Sequence, residues 1–598
     1  MSKQHRLKRP SLKLPRLSRL SLGLCCALWG VVPTAFALQT SDVIAPQVAD
    51  TNQQKSLVKA SKFMLATANP YATQAGFEVL QAGGNAVDAA IAVQLVLGLV
   101  EPQSSGLGGG AIAMVWDNKQ KKLYALDGRE TAPMGATPTM FLDDKGEPLK
   151  FLDAVIGGKS VGTPGTPALL GAMHSTFGSK PWPSLFQSAI VLAENGFTVT
   201  DHMAQQVAEN AEGLKQFAGT RDYFFTKEGA PLPAGFKRDN PEYAKTLKLF
   251  AEKGVQAFYG GELGQAIVDT VTQSPVSPGT LSMADFKRYR VAMRETVCVP
   301  YRAHDVCGMG PPTSGGITVG QILGLLRPFD LKGLGPNNPE SWRLIGDASR
   351  LAFADRGRYI ADSDFVPVPT QALINEAYLA ERAKLLQDGK RLEKTEPGNP
   401  TPNAAAAWAD DEPLELPSTS HFVVADAQGN IVSMTTTIEN GFGSRLWTRG
   451  FLLNNELTDF SFKPEENGAP VANRIEPGKR PRSSMSPTII FKNGNPYMAI
   501  GSPGGSRIIN YTAQAIIAHL DWGMDVQQAI AMPHLANRFG DYDVEEKTSA
   551  VDMKAGLEAL GYKVNVTNMN SGLHGIVYTA EGIQGGADPR RDGTVLGE

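Results

Sequence analysis

The stretch that decides the fold reading is Ser418-Thr419-Ser420-His421-Phe422-Val423-Val424-Ala425-Asp426, with Ala427-Gln428-Gly429 and residues 430–438 behind it. The first nine residues read as a strand. The next three read as a hairpin loop with glycine in third place, and 430–438 as the returning strand. Pairing the strands about Gln428 sets Asp426 opposite Asn430 and Thr419 opposite Thr437, so two threonine hydroxyls sit side by side at the open end of the hairpin. Residues 388–417 ahead of it have no periodicity. They hold four consecutive alanines, several prolines and Asp410, Asp411, Glu412 and Glu415, the composition of a mobile, exposed linker, running 388–418 to the hairpin.

Outward from the hairpin, strand-like runs follow at 451–454, 488–491 and 497–500, with helices expected at 507–520 and 526–531. Upstream, Asn69-Pro70 opens a helix that Gly83-Gly84 closes. The run from Asn85 to Leu97 is apolar nearly all round, as in a buried helix. Ser104-Ser105-Gly106-Leu107-Gly108-Gly109-Gly110 then leads into a strand at 111–116, with another at 123–127. These glycines follow a helix and precede a strand, the reverse of a dinucleotide-binding loop, so they read as a tight turn where backbones meet closely. From about 150 to 390 the pattern is mostly helical, for example 184–195, ended by Gly196, and 262–272. Strands and helices interleaved with long insertions indicate an α/β layered body rather than an all-β one.

The chain has 598 residues, 42% hydrophobic and 20% charged, enough for a large core. Its first 37 residues carry seven Lys/Arg and no acid, then an apolar run from Leu20 to Val32 and the small-x-small site Ala35-Phe36-Ala37. This reads as a secretory signal at 1–37; an uncleaved anchor is the other reading. No later stretch is long and apolar enough to span a membrane. The expected location is periplasmic or secreted. Beyond residue 37 the balance is 50 basic to 60 acidic residues, a net charge of −10, which argues against nucleic acid as a partner. Two cysteines remain there, Cys298 and Cys307. A turn at Arg302-Ala303 would set them opposite each other, and a disulfide and two buried thiols both stay open.

His-Glu-x-x-His and Gly-x-x-x-x-Gly-Lys are absent from the sequence. The histidines are widely spaced, so nothing points to a metal site. A Ser-His-Asp triad stays open because its members need not be close in sequence. The remaining option is a hydroxyl nucleophile that uses its own backbone amine as base. An internal threonine gains that amine if its hydroxyl attacks the preceding carbonyl, here that of Ser418, and the ester hydrolyses.

Several long motifs resemble the γ-glutamyltransferase family. They are Thr419-Ser420-His421-Phe422-Val423-Val424, Leu453-Asn454-Asn455-Glu456-Leu457-Thr458-Asp459-Phe460, Lys479-Arg480-Pro481-Arg482-Ser483-Ser484-Met485, Gly501-Ser502-Pro503-Gly504-Gly505-Ser506-Arg507 and Ala587-Asp588-Pro589-Arg590-Arg591. Upstream, Gly83 to Ala90, Gly106 to Gly110 and Asp127-Gly128-Arg129-Glu130-Thr131-Ala132-Pro133 match as well. The likeness runs from about residue 60 to the end, sparing the linker. It implies the αββα sandwich of the N-terminal-nucleophile hydrolases. It also implies cleavage between Ser418 and Thr419 into a large subunit (38–418) and a small catalytic subunit (419–598) that stay together as a heterodimer.

By the same resemblance, Thr419 is the nucleophile, Thr437 bonds its hydroxyl, and Gly504 and Gly505 form the oxyanion hole. Arg129, Ser483 and Ser484 would take a substrate α-carboxylate, and Asp459 and Glu456 its α-ammonium. The implied substrates are glutathione and related γ-glutamyl amides, with water or amino acids and peptides as acceptors and no cofactor. The chain departs from some members in two places. Glu439-Asn440-Gly441-Phe442-Gly443 puts a charged residue, Glu439, on the ammonium side, and 461–477, a lid region in some members, looks short. The rival readings are a cephalosporin (glutaryl-7-ACA) acylase on the same scaffold and an uncleaved periplasmic amino-acid-binding protein.

Overall fold

The computed structural model describes residues 54–401, 408–411 and 418–598. The expected signal at 1–37 and parts of the linker lie outside the described residues.

Two seven-stranded antiparallel sheets form the centre. Their strands in chain order are β1 (Val58–Ala60), β2 (Met64–Thr67), β3 (Gly110–Asp117), β4 (Lys122–Gly128), β5 (Ala292–Arg294), β6 (Thr296–Tyr301) and β7 (His304–Met309). After residue 418 come β8 (Ser420–Ala425), β9 (Ile431–Thr437), β10 (Thr488–Lys492), β11 (Asn495–Gly501), β12 (His574–Thr579), β13 (Gly582–Ala587) and β14 (Thr594–Gly597). One sheet has the order β1-β13-β12-β11-β10-β7-β6 and the other β14-β2-β8-β9-β3-β4-β5.

Alternation along the strands assigns the layers. Val423 and Ala425 of β8, Ile489 and Phe491 of β10, Ala499 of β11 and Ile576 of β12 share one cluster between the sheets. Phe422 and Val424 turn the other way and join the cluster that holds helices α1 (Pro70–Gln81) and α2 (Ala86–Val100). Ile490, Met498 and Val577 turn outward on the second sheet. There they meet α3 (Gly315–Leu326), α4 (Pro339–Tyr359), α5 (Ile508–Leu520) and α6 (Val526–Ala531). The result is the four-layer αββα sandwich.

Central strands are covered on both faces, and every residue of β8 and β9 is buried. Helix α2 is buried along its whole length, as its all-round apolarity predicts, and Asn85 caps it in a reciprocal capping box with Asp88. Asn69 caps α1 ahead of Pro70. The hairpin register is the expected one, with Ser420 opposite Thr436 and Ala425 opposite Ile431. The glycine turn also behaves as read, since a Cβ on Gly109 would lie 2.0 Å from the Thr437 carbonyl oxygen. The open question at the cysteines resolves as a disulfide: Cys298 and Cys307 face each other across β6 and β7 and are bonded. Arg302 and Ala303 at the turn have φ of 46° and 60°, as a two-residue hairpin loop requires.

The linker differs from its expectation where it is described. The Leu392 N–H donates to Asp347 at 2.8 Å and the Gly398 N–H to Asp355 at 2.7 Å. Arg358 of α4 grips Asp410 with two nitrogens, at 2.6 and 2.9 Å. Composition marks these residues as solvated, but α4 carries polar partners for them on its outer side. No helix among the described residues is long and apolar enough to cross a membrane.

The buried histidines set how stability responds to acid. Burial holds the imidazoles of His421, His534 and His574 well below their ordinary range, His574 down to about 3, and lowers those of His304 and His519. Below about pH 6.5 the unfolded chain therefore takes up protons that the native chain refuses, and stability is lost as pH falls. Glu130, Glu209 and Asp362, all raised by burial, oppose this with fewer groups. The thermal unfolding midpoint should fall when the pH is lowered from about 7 to about 5; a flat or rising midpoint in a calorimetric series would contradict the assignment of neutral buried histidines.

Candidate active site

The sandwich brings several strand ends together. Thr419 immediately precedes β8, Thr437 ends β9, Arg129 follows β4, and Gly504 and Gly505 follow β11. The segment before β10 brings Ser483 and Ser484, and a short 3-10 turn carries Glu456 and Asp459. One cleft is lined by Thr419, Thr437, Glu439, Arg129, Glu456, Asp459, Ser483, Ser484 and Gly505, together with Met485 and Ile508. All the expected site residues except Ser418 and Gly504 thus face one space, and those two adjoin it through the backbone. No residue of 461–477 lines it; that segment carries a small hairpin, Glu465–Glu466 paired with Ala469–Pro470.

Thr419 is 4% exposed and has φ of 100°. For a β-branched residue this is an outlier, with a cost of about 1–3 kcal/mol that the surroundings must offset. They do so from several sides. The Thr419 hydroxyl donates to Thr437 Oγ1 at 3.2 Å, and Thr437 Oγ1 also accepts the Glu439 N–H at 2.8 Å. The Ser418 carbonyl accepts the Gly504 N–H at 3.3 Å, with Gly504 at φ of 131°. The Ser418 hydroxyl donates to the Gln103 carbonyl at 3.1 Å, and Arg591 Nη1 donates to the Thr419 carbonyl at 3.0 Å. The Ser418–Thr419 peptide bond thus leads into a residue of strained backbone, with the Thr419 hydroxyl next to it and an N–H on its carbonyl oxygen. That arrangement can support attack of the hydroxyl on the carbonyl and stabilise the resulting oxyanion.

The rest of the cleft is a charge cluster. Arg129, 1% exposed, bonds Glu456 through Nη1 and Asp459 through Nη2. Burial alone would lower its pKa, but the Glu456, Asp459 and Glu130 carboxylates outweigh burial and hold the guanidinium above its ordinary value. Glu130 is pushed the other way from an ordinary carboxyl: burial, then the neighbouring Glu456, raise it well up. Glu439 accepts from Asn455 Nδ2 and sits near the buried Arg445. Burial brings the Arg445 pKa down to about 10, with Glu439 working against that fall. Ser484 Oγ accepts from Arg356 at 2.8 Å, and the Ser483 hydroxyl accepts the Met485 N–H at 3.1 Å.

Sequence reasoning assigned the carboxylate and ammonium binders separately. The structure shows Arg129 satisfied by the two acids in the same cluster. It also adds residues that had been quoted only within motifs, Glu130 and Arg591, and others never singled out, Gln103, Arg356 and Asn570. The bonds that tie Gln103, Arg356 and Arg591 to the site each cross more than 100 residues of chain, so no local signal marks them.

The comparisons with known proteins bear on this geometry. The family model described as gamma-glutamyltranspeptidase matches residues 72–598. The chain belongs to the γ-glutamyltranspeptidase family. Among relatives, it is 36% identical to the glutathione hydrolase proenzyme of Bacillus subtilis (strain 168) over 546 residues, 89% of this chain and 91% of that protein. It is 34% identical to the acylase ACY 1 proenzyme of Pseudomonas sp. (strain V22) over 564 residues, 92% of this chain and 96% of the other. Among solved structures, the cephalosporin acylase from Bacillus halodurans superposes with a TM-score of 0.80 at 27% identity, covering 92% of this chain and 99% of that one. Membership makes the chain an enzyme of the N-terminal-nucleophile hydrolase class.

The charge cluster makes a direct prediction. Arg129→Met leaves Glu456 and Asp459 buried without their guanidinium, a loss of about 3–5 kcal/mol for a broken buried pair. Denaturant unfolding should show it, and adding Glu456→Gln and Asp459→Asn should restore part of it. If Arg129→Met unfolds at the wild-type denaturant concentration, the cluster is not held by charge.

Proposed function

We propose that the chain is an autoprocessed γ-glutamyltransferase and glutathione hydrolase, cut between Ser418 and Thr419 into a large subunit (38–418) and a small catalytic subunit (419–598). The observation that carries this reading is the strained Ser418–Thr419 peptide. Its carbonyl takes the Gly504 N–H, and its hydroxyl lies 3.2 Å from Thr437 Oγ1.

In the cut, Thr419 Oγ1 bonds to the Ser418 carbonyl carbon and the C–N bond breaks. The nitrogen keeps its own hydrogen and takes up the proton that the Thr419 hydroxyl gives up, becoming the α-amine, and water hydrolyses the resulting ester. The free α-amine then serves as base for the Thr419 hydroxyl. The hydroxyl attacks the γ-carbonyl of the donor, the leaving amine departs with a proton, and a γ-glutamyl ester remains on Thr419. Water, or the amine of an amino acid or peptide, takes the acyl group. The Gly504 and Gly505 N–H groups face the developing oxyanion, where the missing side chains allow close approach. Arg129, Ser483 and Ser484 hold the donor α-carboxylate; Asp459, Glu456 and Glu439 hold its α-ammonium.

The relatives divide between glutathione hydrolases and acylases, and the charge of the cleft favours the first. Among the residues that line the cleft, Glu439, Glu456 and Asp459 outnumber the one guanidinium, Arg129, with Arg445 and Arg356 set behind Glu439 and Ser484. A γ-glutamyl group brings an ammonium to this excess of carboxylate, whereas a glutaryl group brings only more negative charge. The Cys298–Cys307 disulfide supports export to the periplasm or medium, where disulfides persist.

On a denaturing gel without reductant, the purified protein should give fragments of about 380 and 180 residues, counted to Thr419. The smaller should begin at Thr419, and Thr419→Ala should stay whole; a different new terminus, or an uncut wild type, would sink the proposal. Comparing γ-glutamyl and glutaryl anilides, we expect kcat/KM to favour the first by about 100-fold or more, a difference of at least one desolvated ion pair. Glu439→Gln should narrow that ratio through KM. Equal rates on the two anilides would favour the acylase reading.

A further inference from the structure

We propose that Arg591, from the last turn of the chain, is a positioning residue that holds the nucleophile in place before and after the cut; this rests on Thr419 being that nucleophile. The hydrogen bonds around Thr419 fall into two groups. Those through Ser418, from the Gly504 N–H and to the Gln103 carbonyl, belong to the peptide that is severed. Once the bond breaks, they no longer act on Thr419. The contacts that remain on Thr419 itself are its hydroxyl to Thr437 and its carbonyl to Arg591 Nη1 at 3.0 Å. The first involves the reacting atom and must change during every turnover. The second involves an atom that takes no part in the chemistry.

The guanidinium is built for this. Arg591 is 3% exposed, and its Nε donates to Asn570 Oδ1 at 3.0 Å, so two of its edges are fixed. Its own carbonyl accepts from Lys55 Nζ, as do the carbonyls of Asp588 and Gly593 at 2.7 and 2.6 Å, which pins the backbone on both sides. A new chain terminus is ordinarily a site of fraying. Here the first residue of the small subunit would be tied by a buried arginine to the other end of the same subunit. Once the bond is cut, Thr419 has no preceding carbonyl and its positive φ no longer applies, so the peptide plane it shares with Ser420 would be free to rotate at the new terminus and carry the hydroxyl away from Thr437. A guanidinium on the carbonyl opposes that rotation, and a misplacement of the nucleophile on the order of 1 Å is enough to lower turnover about 100-fold.

The test uses the full-length chain with Arg591→Gln, Arg591→Lys and Asn570→Ala beside wild type. Three quantities are measured: the rate at which the precursor splits, kcat and KM of the split enzyme, and the thermal midpoint. Positioning predicts that Arg591→Gln splits about 10-fold or more slowly and that its split form loses at least about 10-fold in kcat with KM within about twofold. Arg591→Lys, which keeps one donor, should recover most of both rates, and Asn570→Ala should lose less than Arg591→Gln in the same direction.

If Arg591→Gln fails to fold, the lysine and Asn570 variants decide. Wild-type splitting and kcat in every variant that folds would overturn the proposal, as would a loss confined to KM or one that follows the thermal midpoint alone. The two readings fail separately. If wild type does not split at Thr419, the nucleophile assignment falls; if it does and the Arg591 and Asn570 variants match it, only the role of Arg591 falls.

Discussion

The constraint on which the site depends is the conformation of one residue at the mouth of one hairpin. Thr419 at φ of 100° could not hold that shape on its own, since β-branching makes the left-handed region costly. It is held by groups from across the chain: Thr437 from the paired strand, Gly504 from the turn after β11, Gln103 from the loop after α2, and Arg591 from the C-terminal segment. Each comes from a different element, and both sheets contribute. The rigid sandwich therefore converts packing energy into local strain at the residue proposed as the nucleophile. Glycine at 504 serves the same end. Its φ of 131° turns the N–H toward the Ser418 carbonyl in a backbone shape that a side chain would oppose.

A second theme is how the cleft keeps charge in reserve. Arg129 is ion-paired with both Glu456 and Asp459 in the cleft. A zwitterionic amino-acid head group carries one charge of each sign, so it can exchange with this internal pairing without changing the net charge of the cleft. That exchange explains how buried ions can be both stable and available. Their desolvation is offset by one another in the cluster, and a bound head group would have to take over that role.

Much of the central hairpin was legible in the sequence. A three-residue loop with glycine in third place and alternating apolar positions set the register, which in turn placed Thr419 beside Thr437. Buried helix α2, the Asn69 cap of α1 and the close-approach glycines were readable for similar reasons, since caps, periodicity and glycine act over a few residues. What could not be read were interactions set by tertiary placement. Arg591 is 172 positions from Thr419 and Glu130 takes its character from burial beside Glu456, neither of which leaves a trace in local pattern. The linker's partners went unread for the complementary reason. Its acidic, proline-rich composition describes a segment without a core of its own, but Asp410 finds Arg358 on α4, and composition carries no information about partners. The division into layers was inferred from element order, while the assignment of Val423 to the inter-sheet layer and Phe422 to the helical one needed the coordinates.

The position of the break in the sheets bears on whether a cut chain can stay together. Strands from before and after residue 418 are interleaved in both sheets. In one, β8 lies between β2 and β9, and β9 between β8 and β3, so the hairpin that begins at Thr419 is hydrogen-bonded on both sides to strands from the first part of the chain. In the other, β10 pairs with β7, and β13 pairs with β1. Separating the two parts would break these ladders and expose the inter-sheet layer, to which Met64, Ala66, Ile112 and Met114 contribute from one side of the break and Val423, Ile489, Ala499 and Ile576 from the other. The energy of that layer does not depend on the Ser418–Thr419 bond. Cleavage can therefore release the strained end and open the cleft while leaving the fold in place, and a family built on this topology has no need of a covalent link between its two parts.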